Sequence, residues 1–94
     1  EIQWKSTAER ELRNIEPKII RRVIKAVESL ANNPYPPRRR KLRGSRRDYR
    51  IRVGDYRVIY RVDVRHTVVT IIMFVIAGKR IADERIYKAS IDRK

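Results

Sequence analysis

RDYRIRVGDYRVIYR, residues 47–61, decides how this chain is read. Polar and apolar residues alternate on both sides of Gly54-Asp55, and that period of two is the signature of strands. Glycine at the first central position suits a two-residue type II′ turn. The turn sets the register: Val53 faces Tyr56, Arg52 faces Arg57, Ile51 faces Val58, Arg50 faces Ile59 and Tyr49 faces Tyr60. One face of the hairpin then carries Tyr49, Ile51, Val53, Tyr56, Val58 and Tyr60, and belongs against a core. The other carries Arg50, Arg52, Arg57 and Arg61, with Ile59 among them and Asp48 at its start. Like charges directly opposite on a sheet are destabilising. A face that accumulates them suits polyanion binding, because guanidinium forks match phosphate oxygens.

The segment just upstream, RRRKLRGSRR, residues 38–47, reads as a basic loop. It holds Arg38, Arg39, Arg40, Lys41, Arg43, Arg46 and Arg47. Before it, Pro34, Pro36 and Pro37 keep the backbone extended. Upstream again, Ile19, Ile20, Val23, Ile24, Val27, Leu30 and Ala31 recur at steps of three and four, which predicts an amphipathic helix. Pro17 suits its first turn, and Asn32-Asn33-Pro34 stops it. Lys18, Arg21, Arg22 and Lys25 fall on its solvent side. Ser6 and Glu9 read as an S-x-x-E capping box, predicting a shorter helix from Thr7 with Ala8, Leu12 and Ile15 as its stripe. Ile2 and Trp4 alternate with polar neighbours and predict a short first strand.

Downstream of the hairpin, Thr67–Ala77 is almost wholly apolar and rich in Val and Ile, as in a strand buried on both faces. Trp4 and Phe74 read as core residues, as do Tyr49, Tyr56 and Tyr60. Tyr35, in the proline-rich loop, is left open between packing and RNA contact. After Gly78 the reading expects a short loop, then a helix or extended segment through Tyr87.

With 94 residues, one domain spanning 1–94 is expected. The 25 Lys and Arg against 11 Asp and Glu leave a net charge of +14, which points to nucleic acid, the ribosome or an acidic protein. No cysteine is present, so disulfides and thiolate metal sites are excluded. That composition fits a reducing cytosol, and a cytoplasmic location is expected. The longest apolar run is far too short for a membrane span. No carboxylate pair or H-x-x-x-H pattern offers ligands, so no metal or other cofactor is expected. His66, the single histidine, falls in the turn Asp63-Val64-Arg65-His66, away from Gly54.

The order strand, two helices, antiparallel strands resembles the RelE/ParE superfamily of bacterial and archaeal toxins. K-L-R-G at 41–44, Y-R-I-R-V-G-D-Y-R-V-I-Y at 49–60, G-K-R at 78–80 and Tyr87 carry the resemblance, which covers nearly the whole chain. It implies an α+β fold, with two N-terminal helices on a mainly antiparallel four-stranded sheet. It also implies a metal-independent endoribonuclease that cuts mRNA in the ribosomal A site, leaving a 2′,3′-cyclic phosphate and a 5′-hydroxyl. The implied partners are the ribosome, mRNA and a RelB-like antitoxin. The family's functional positions fall on Arg50, Arg52, Arg57, Arg80 and Tyr87, and RNA contacts on the basic loop, Arg61 and Lys79.

Arg50 and Arg52 stand where RelE-type toxins carry lysine. Arginine does not give up its proton, so these two are assigned to holding the backbone and stabilising charge. Proton transfer is left to Tyr87, Lys79, or ribosomal RNA and water. Two other readings compete: a ParE-like toxin that poisons DNA gyrase, and a catalytically inactive basic module that binds RNA or the ribosome.

Overall fold

The computed structural model describes residues 1–76. In chain order it comprises β1 (Ile2–Trp4), α1 (Ser6–Leu12), α2 (Pro17–Ser29), β2 (Arg40–Lys41), β3 (Asp48–Val53), β4 (Tyr56–Asp63) and β5 (Val68–Ile76). The strands form one five-stranded sheet in the order β1-β5-β4-β3-β2. Only β1 and β5 run parallel; the other pairs are antiparallel. The α+β layout matches expectation, and the strand count exceeds it by β2. Two charged residues carry no hydrophobic alternation, so an edge strand that short leaves no period to read.

The hairpin has the register its turn predicts, from Val53↔Tyr56 to Asp48↔Arg61. Gly54 has φ +60 and Asp55 is not among the positive-φ residues, which is the type II′ pattern rather than I′. A Cβ at Gly54 would lie 3.6 Å from Ile19 Cδ1, so the turn rests directly on α2.

Helix α2 begins with Pro17 in its first turn, as expected. It buries Val23, Val27 and Leu30 against Ile51, Val53, Val58 and Tyr60 of the hairpin. Each such side chain contributes about 1.5–3 kcal/mol when fully withdrawn from water. Lys18, Arg21, Arg22 and Lys25 lie on the exposed side. Helix α1 departs from expectation: it starts at Ser6, its N-cap is Lys5, and no side chain caps it. The chain enters α1 straight from β1, with Lys5 N–H donating to Ile71 O at 2.9 Å. Ser6 is thereby drawn inside the helix and cannot cap it.

Strand β5 packs on both faces, as its apolar run predicts. Val69, Ile71 and Phe74 join the main core below the helices, where Phe74 lies 5.9 Å from Trp4 between ring centroids. Ile72 and Met73 join Leu42 and Ile59 in a second cluster on the opposite face. A bulge makes this possible: Ile59 pairs with Met73 but Tyr60 pairs with Ile71, leaving Ile72 as the extra residue. Among the described residues no helix is long and apolar enough to cross a membrane.

Candidate nucleic-acid interface

Paired residues on neighbouring strands share a face, so the sheet register lays out the site. One row across the face away from the helices reads Arg40, Arg50, Ile59, Met73. The next, nearer the Gly54 turn, reads Arg52, Arg57, Val75. A third, toward the other end, reads Asp48, Arg61, Thr70. Four arginines from three strands thus converge on one side of an apolar patch made by Leu42, Ile59, Ile72 and Met73. Arg40 and Arg52 are exposed, while Arg50 and Arg57 are half-buried.

The arginines are held in different ways. Arg52 folds back over the hairpin turn: its Nε donates to Gly54 O at 2.9 Å, and its Nη2 lies 4.0 Å from Asp55 Oδ1. Arg61 donates twice to Asp48, from Nε at 2.7 Å and from Nη2 at 3.1 Å. Asp48 is fully buried, and this hydrogen bonding raises the Arg61 pKa above its ordinary value. The geometry gives Arg61 a structural task, bracing the end of the hairpin. The sequence puts Asp48 on this face but not inside the protein; burial requires a partner, and Arg61 directly across the ladder supplies it.

The basic loop divides between environments. Arg40 joins the arginine rows through β2, and Lys41, opposite Tyr49, takes the other side of the strand. Arg38, Arg39, Arg43, Arg46 and Arg47 are exposed. Ser45 Oγ accepts from the backbone N–H of both Arg47 and Asp48 at 3.2 Å, and Leu42 N–H donates to Asp48 O at 2.9 Å. The loop is therefore pinned to the start of β3 while its arginines stay in water. Arg40 is expected from the sequence among the RNA contacts of a basic loop; what the sequence does not show is that it lies on a strand, in one row with Arg50. Lys79, Arg80 and Tyr87, and the expected segment after Gly78, lie outside the described residues.

His66 stands apart from the arginines, in the β4–β5 turn. Its Nδ1 lies 2.9 Å from Asp63 Oδ2, and this contact holds the Asp63 carboxyl below the usual carboxylate range. Tyr49, Tyr56 and Tyr60 all pack on or in the main core. Among the described residues, no group of three or more His, Cys, Asp or Glu side chains is arranged to hold a metal.

Taken together, the site can grip a polyanion along three strands and neutralise charge on a phosphate. Among the described residues it presents arginine where a base would have to be a lysine or histidine.

Comparison with known proteins agrees with this layout. Residues 2–82 match the ParE toxin of type II toxin–antitoxin systems. The chain is 35% identical over 75 residues to Toxin RelG of Mycobacterium tuberculosis, covering 76% of this chain and 83% of that protein. The toxin–antitoxin complex RelBE2 of the same organism contains a chain that superposes with TM-score 0.70 at 28% identity, covering 80% of this chain and 94% of that one. For the RelE–RelB complex of Pyrococcus horikoshii the TM-score is 0.72 at 25% identity, with coverages of 83% and 94%. Strand–helix–helix–hairpin order, the arginine-bearing hairpin and a family match over residues 2–82 lead to one conclusion: the chain belongs to the RelE/ParE superfamily and is a toxin of the type II toxin–antitoxin class.

Proposed function

We propose that this toxin is a RelE-like endoribonuclease that cuts mRNA in the ribosomal A site. The observation that carries the proposal is the pair of arginine rows, Arg40–Arg50 and Arg52–Arg57, each with like charges directly opposite across a ladder. These rows gather four guanidinium groups on one face, and guanidinium forks match phosphate oxygens.

In this reading the 2′-hydroxyl oxygen attacks the adjacent phosphorus, and the bond from phosphorus to the 5′-oxygen breaks. The products are a 2′,3′-cyclic phosphate and a 5′-hydroxyl. The 2′-hydroxyl loses a proton and the departing 5′-oxygen gains one. Charge accumulates on the phosphoryl oxygens in between, and Arg57 with Arg50 and Arg52 stabilises it there. Arg80 adds a further cation and Tyr87 orients a base. Arginine cannot accept the 2′-hydroxyl proton, so the acceptor is Tyr87, Lys79, or a group of the ribosome or its water. No step calls on a metal. A RelB-like antitoxin with an acidic or apolar helix restrains the basic surface, and the protein works in the cytoplasm.

Cleavage mapping in a purified translation system tests this, using the wild type, Arg57→Ala, Arg80→Ala and a ribosome-free RNA control. Cuts within codons that need the ribosome and fall about 100-fold or more in each variant are expected. Folded protein that cuts nothing in any tube overturns the proposal. A second reading has one observation in its favour, the match to a family named for ParE. Inhibition of gyrase supercoiling without RNA cleavage would select it.

A further inference from the structure

Outside the arginine rows, one group of side chains is built more firmly than the fold requires. Tyr60, Tyr49 and Tyr35 form a chain of rings, with centroids 5.9 Å apart for Tyr49–Tyr60 and 5.4 Å for the edge-on Tyr35–Tyr49 pair. Tyr60 and Tyr49 belong to the core, but Tyr35 is 37% exposed. The Arg39 guanidinium carbon lies over the Tyr35 ring, 5.7 Å from its centre. Arg39 Nη1 donates to Tyr35 O at 3.2 Å and to Pro36 O at 3.3 Å. Both acceptors are carbonyls, so the guanidinium is held in place without its charge being neutralised.

The supporting loop is rigid for a surface loop. Pro34, Pro36 and Pro37 restrict its backbone. Tyr35 N–H donates to Asn33 Oδ1 at 3.1 Å, Arg39 N–H donates to Pro36 O at 3.0 Å, and Tyr60 OH donates to Pro34 O at 2.7 Å. A long arginine side chain on a surface ordinarily keeps its rotamer freedom. Here it has been immobilised in advance, with a ring behind it and water in front. That suits stacking on a planar aromatic ligand, which arginine planes and tyrosine rings both favour.

Position adds the second argument. Arg39 immediately precedes Arg40, whose Cα is one peptide step away and whose place is in the row with Arg50. A strand of RNA held on the outer face by Arg57, Arg52, Arg50 and Arg40 that leaves over the β2 edge meets the Arg39–Tyr35 pair next.

We infer that Arg39 and Tyr35 form a base-stacking subsite for an unpaired nucleotide of single-stranded RNA, at the β2 edge and outside the cleavage site. This rests on the reading of the outer face as an RNA surface. The subsite is sequence-tolerant, because every base has a π face, and it favours unpaired over duplex RNA.

The test is a fluorescence-anisotropy titration at fixed salt with labelled decaadenylate and with an abasic decamer of equal phosphate count. Wild type is compared with Arg39→Lys, which keeps the charge and loses the plane, and with Tyr35→Leu, which removes the ring. Matched circular dichroism and thermal melts establish that both variants fold. The expected result is that each substitution weakens decaadenylate binding about five- to tenfold and leaves binding of the abasic decamer within about twofold. Equal losses on both probes, or no loss with Arg39→Lys, overturn the inference while leaving the outer face intact as an RNA surface. Wild type that binds neither probe removes both. Arg57→Ala, which removes an outer-face phosphate contact, should weaken binding of both probes alike and keep the ratio of decaadenylate to abasic affinity at its wild-type value; a ratio that falls with Arg57→Ala overturns a separate subsite.

Discussion

Arg61 and Asp48 close a two-bonded ion pair across β3 and β4, with Asp48 wholly buried and the Arg61 side chain 21% exposed. The pair sits at the end of the hairpin opposite Gly54, where the basic loop joins β3. A carboxylate out of contact with water costs several kcal/mol unless it is paired and hydrogen-bonded. Arg61→Ala removes that partner and leaves the charge behind. A loss of about 3 kcal/mol in urea denaturation is expected. The double variant Asp48→Leu/Arg61→Met removes both charges and should recover most of it. Equal instability in the single and double variants would show that the charge is not the cause.

Arg40 and Arg50 are like charges directly opposite each other on β2 and β3. Arg40→Glu converts it to an opposite-charge pair at an edge strand. The fold should gain about 0.5 kcal/mol, read as a higher urea midpoint. RNA binding should weaken, and the slope of log affinity against log salt should fall by about one or more. Stability and binding then move in opposite directions, as they should where charge serves function. A variant that loses both would place Arg40 in the scaffold instead.

Glu11 caps an open sheet edge. Among the described residues, β5 has no strand neighbour on that side beyond Ile71 once the chain turns from β1 into α1, and Phe74 N–H donates to Glu11 Oε1 at 2.8 Å. Burial pushes the Glu11 carboxyl up, outweighing the lowering by that hydrogen bond and by Arg10. A raised folded-state pKa means that ionised Glu11 costs stability at neutral pH. That cost vanishes at pH values below the carboxyl's unfolded pKa. Glu11→Gln keeps an acceptor for Phe74 and removes the charge, so it should match or exceed wild type at pH 7. The gap should close as pH falls toward about 4. Glu11→Ala orphans the Phe74 N–H and should cost about 1–2 kcal/mol at every pH. Parallel melts of the three proteins at pH 4 and 7 decide it.

Tyr60 ties the centre of β4 to the loop after α2 through its bond to Pro34 O. Burial pushes its phenol up to about 12, with smaller opposing effects from Arg39 and Arg38. The unfolded tyrosine ionises near pH 10. Its contribution is therefore complete below about pH 10 and is lost as pH rises toward 12. Tyr60→Phe should cost about 1 kcal/mol at pH 7 and flatten the alkaline part of the stability profile. Identical alkaline slopes in the two proteins would assign the loss to other groups.

The elements legible from the residues are those whose information is local. Gly54-Asp55 and the alternation around it specify turn type, register and the facing of twelve side chains, because a strand has a period of two and a two-residue turn admits one register. The three- and four-residue steps from Ile19 to Leu30 specify α2 in the same way, and Pro17 marks its start. The two-sided burial of β5 is written in its unbroken run of apolar residues. The arginine face is legible for the same reason: it is the polar half of a regular alternation.

What the tertiary structure alone decided depends on neighbours far along the chain. Arg40-Lys41 becomes a strand only because β3 offers a free edge. Ser6 fails to cap α1 because β1 delivers the chain to β5 and draws that serine into the first turn. Met73 takes the outer face and Phe74 the core, the reverse of simple alternation from Ile71, because a bulge at Ile72 against β4 shifts the phase of the strand. Arg61 is taken from the arginine face by Asp48, thirteen residues earlier. Tyr35, equally able to pack or to stay in solvent, is set beside Tyr49 and beneath Arg39 by a bond from Tyr60 to Pro34. Periodicity records which side of an element faces the core. Partners across the fold, and the charges and hydrogen bonds they satisfy, are set only when distant segments meet.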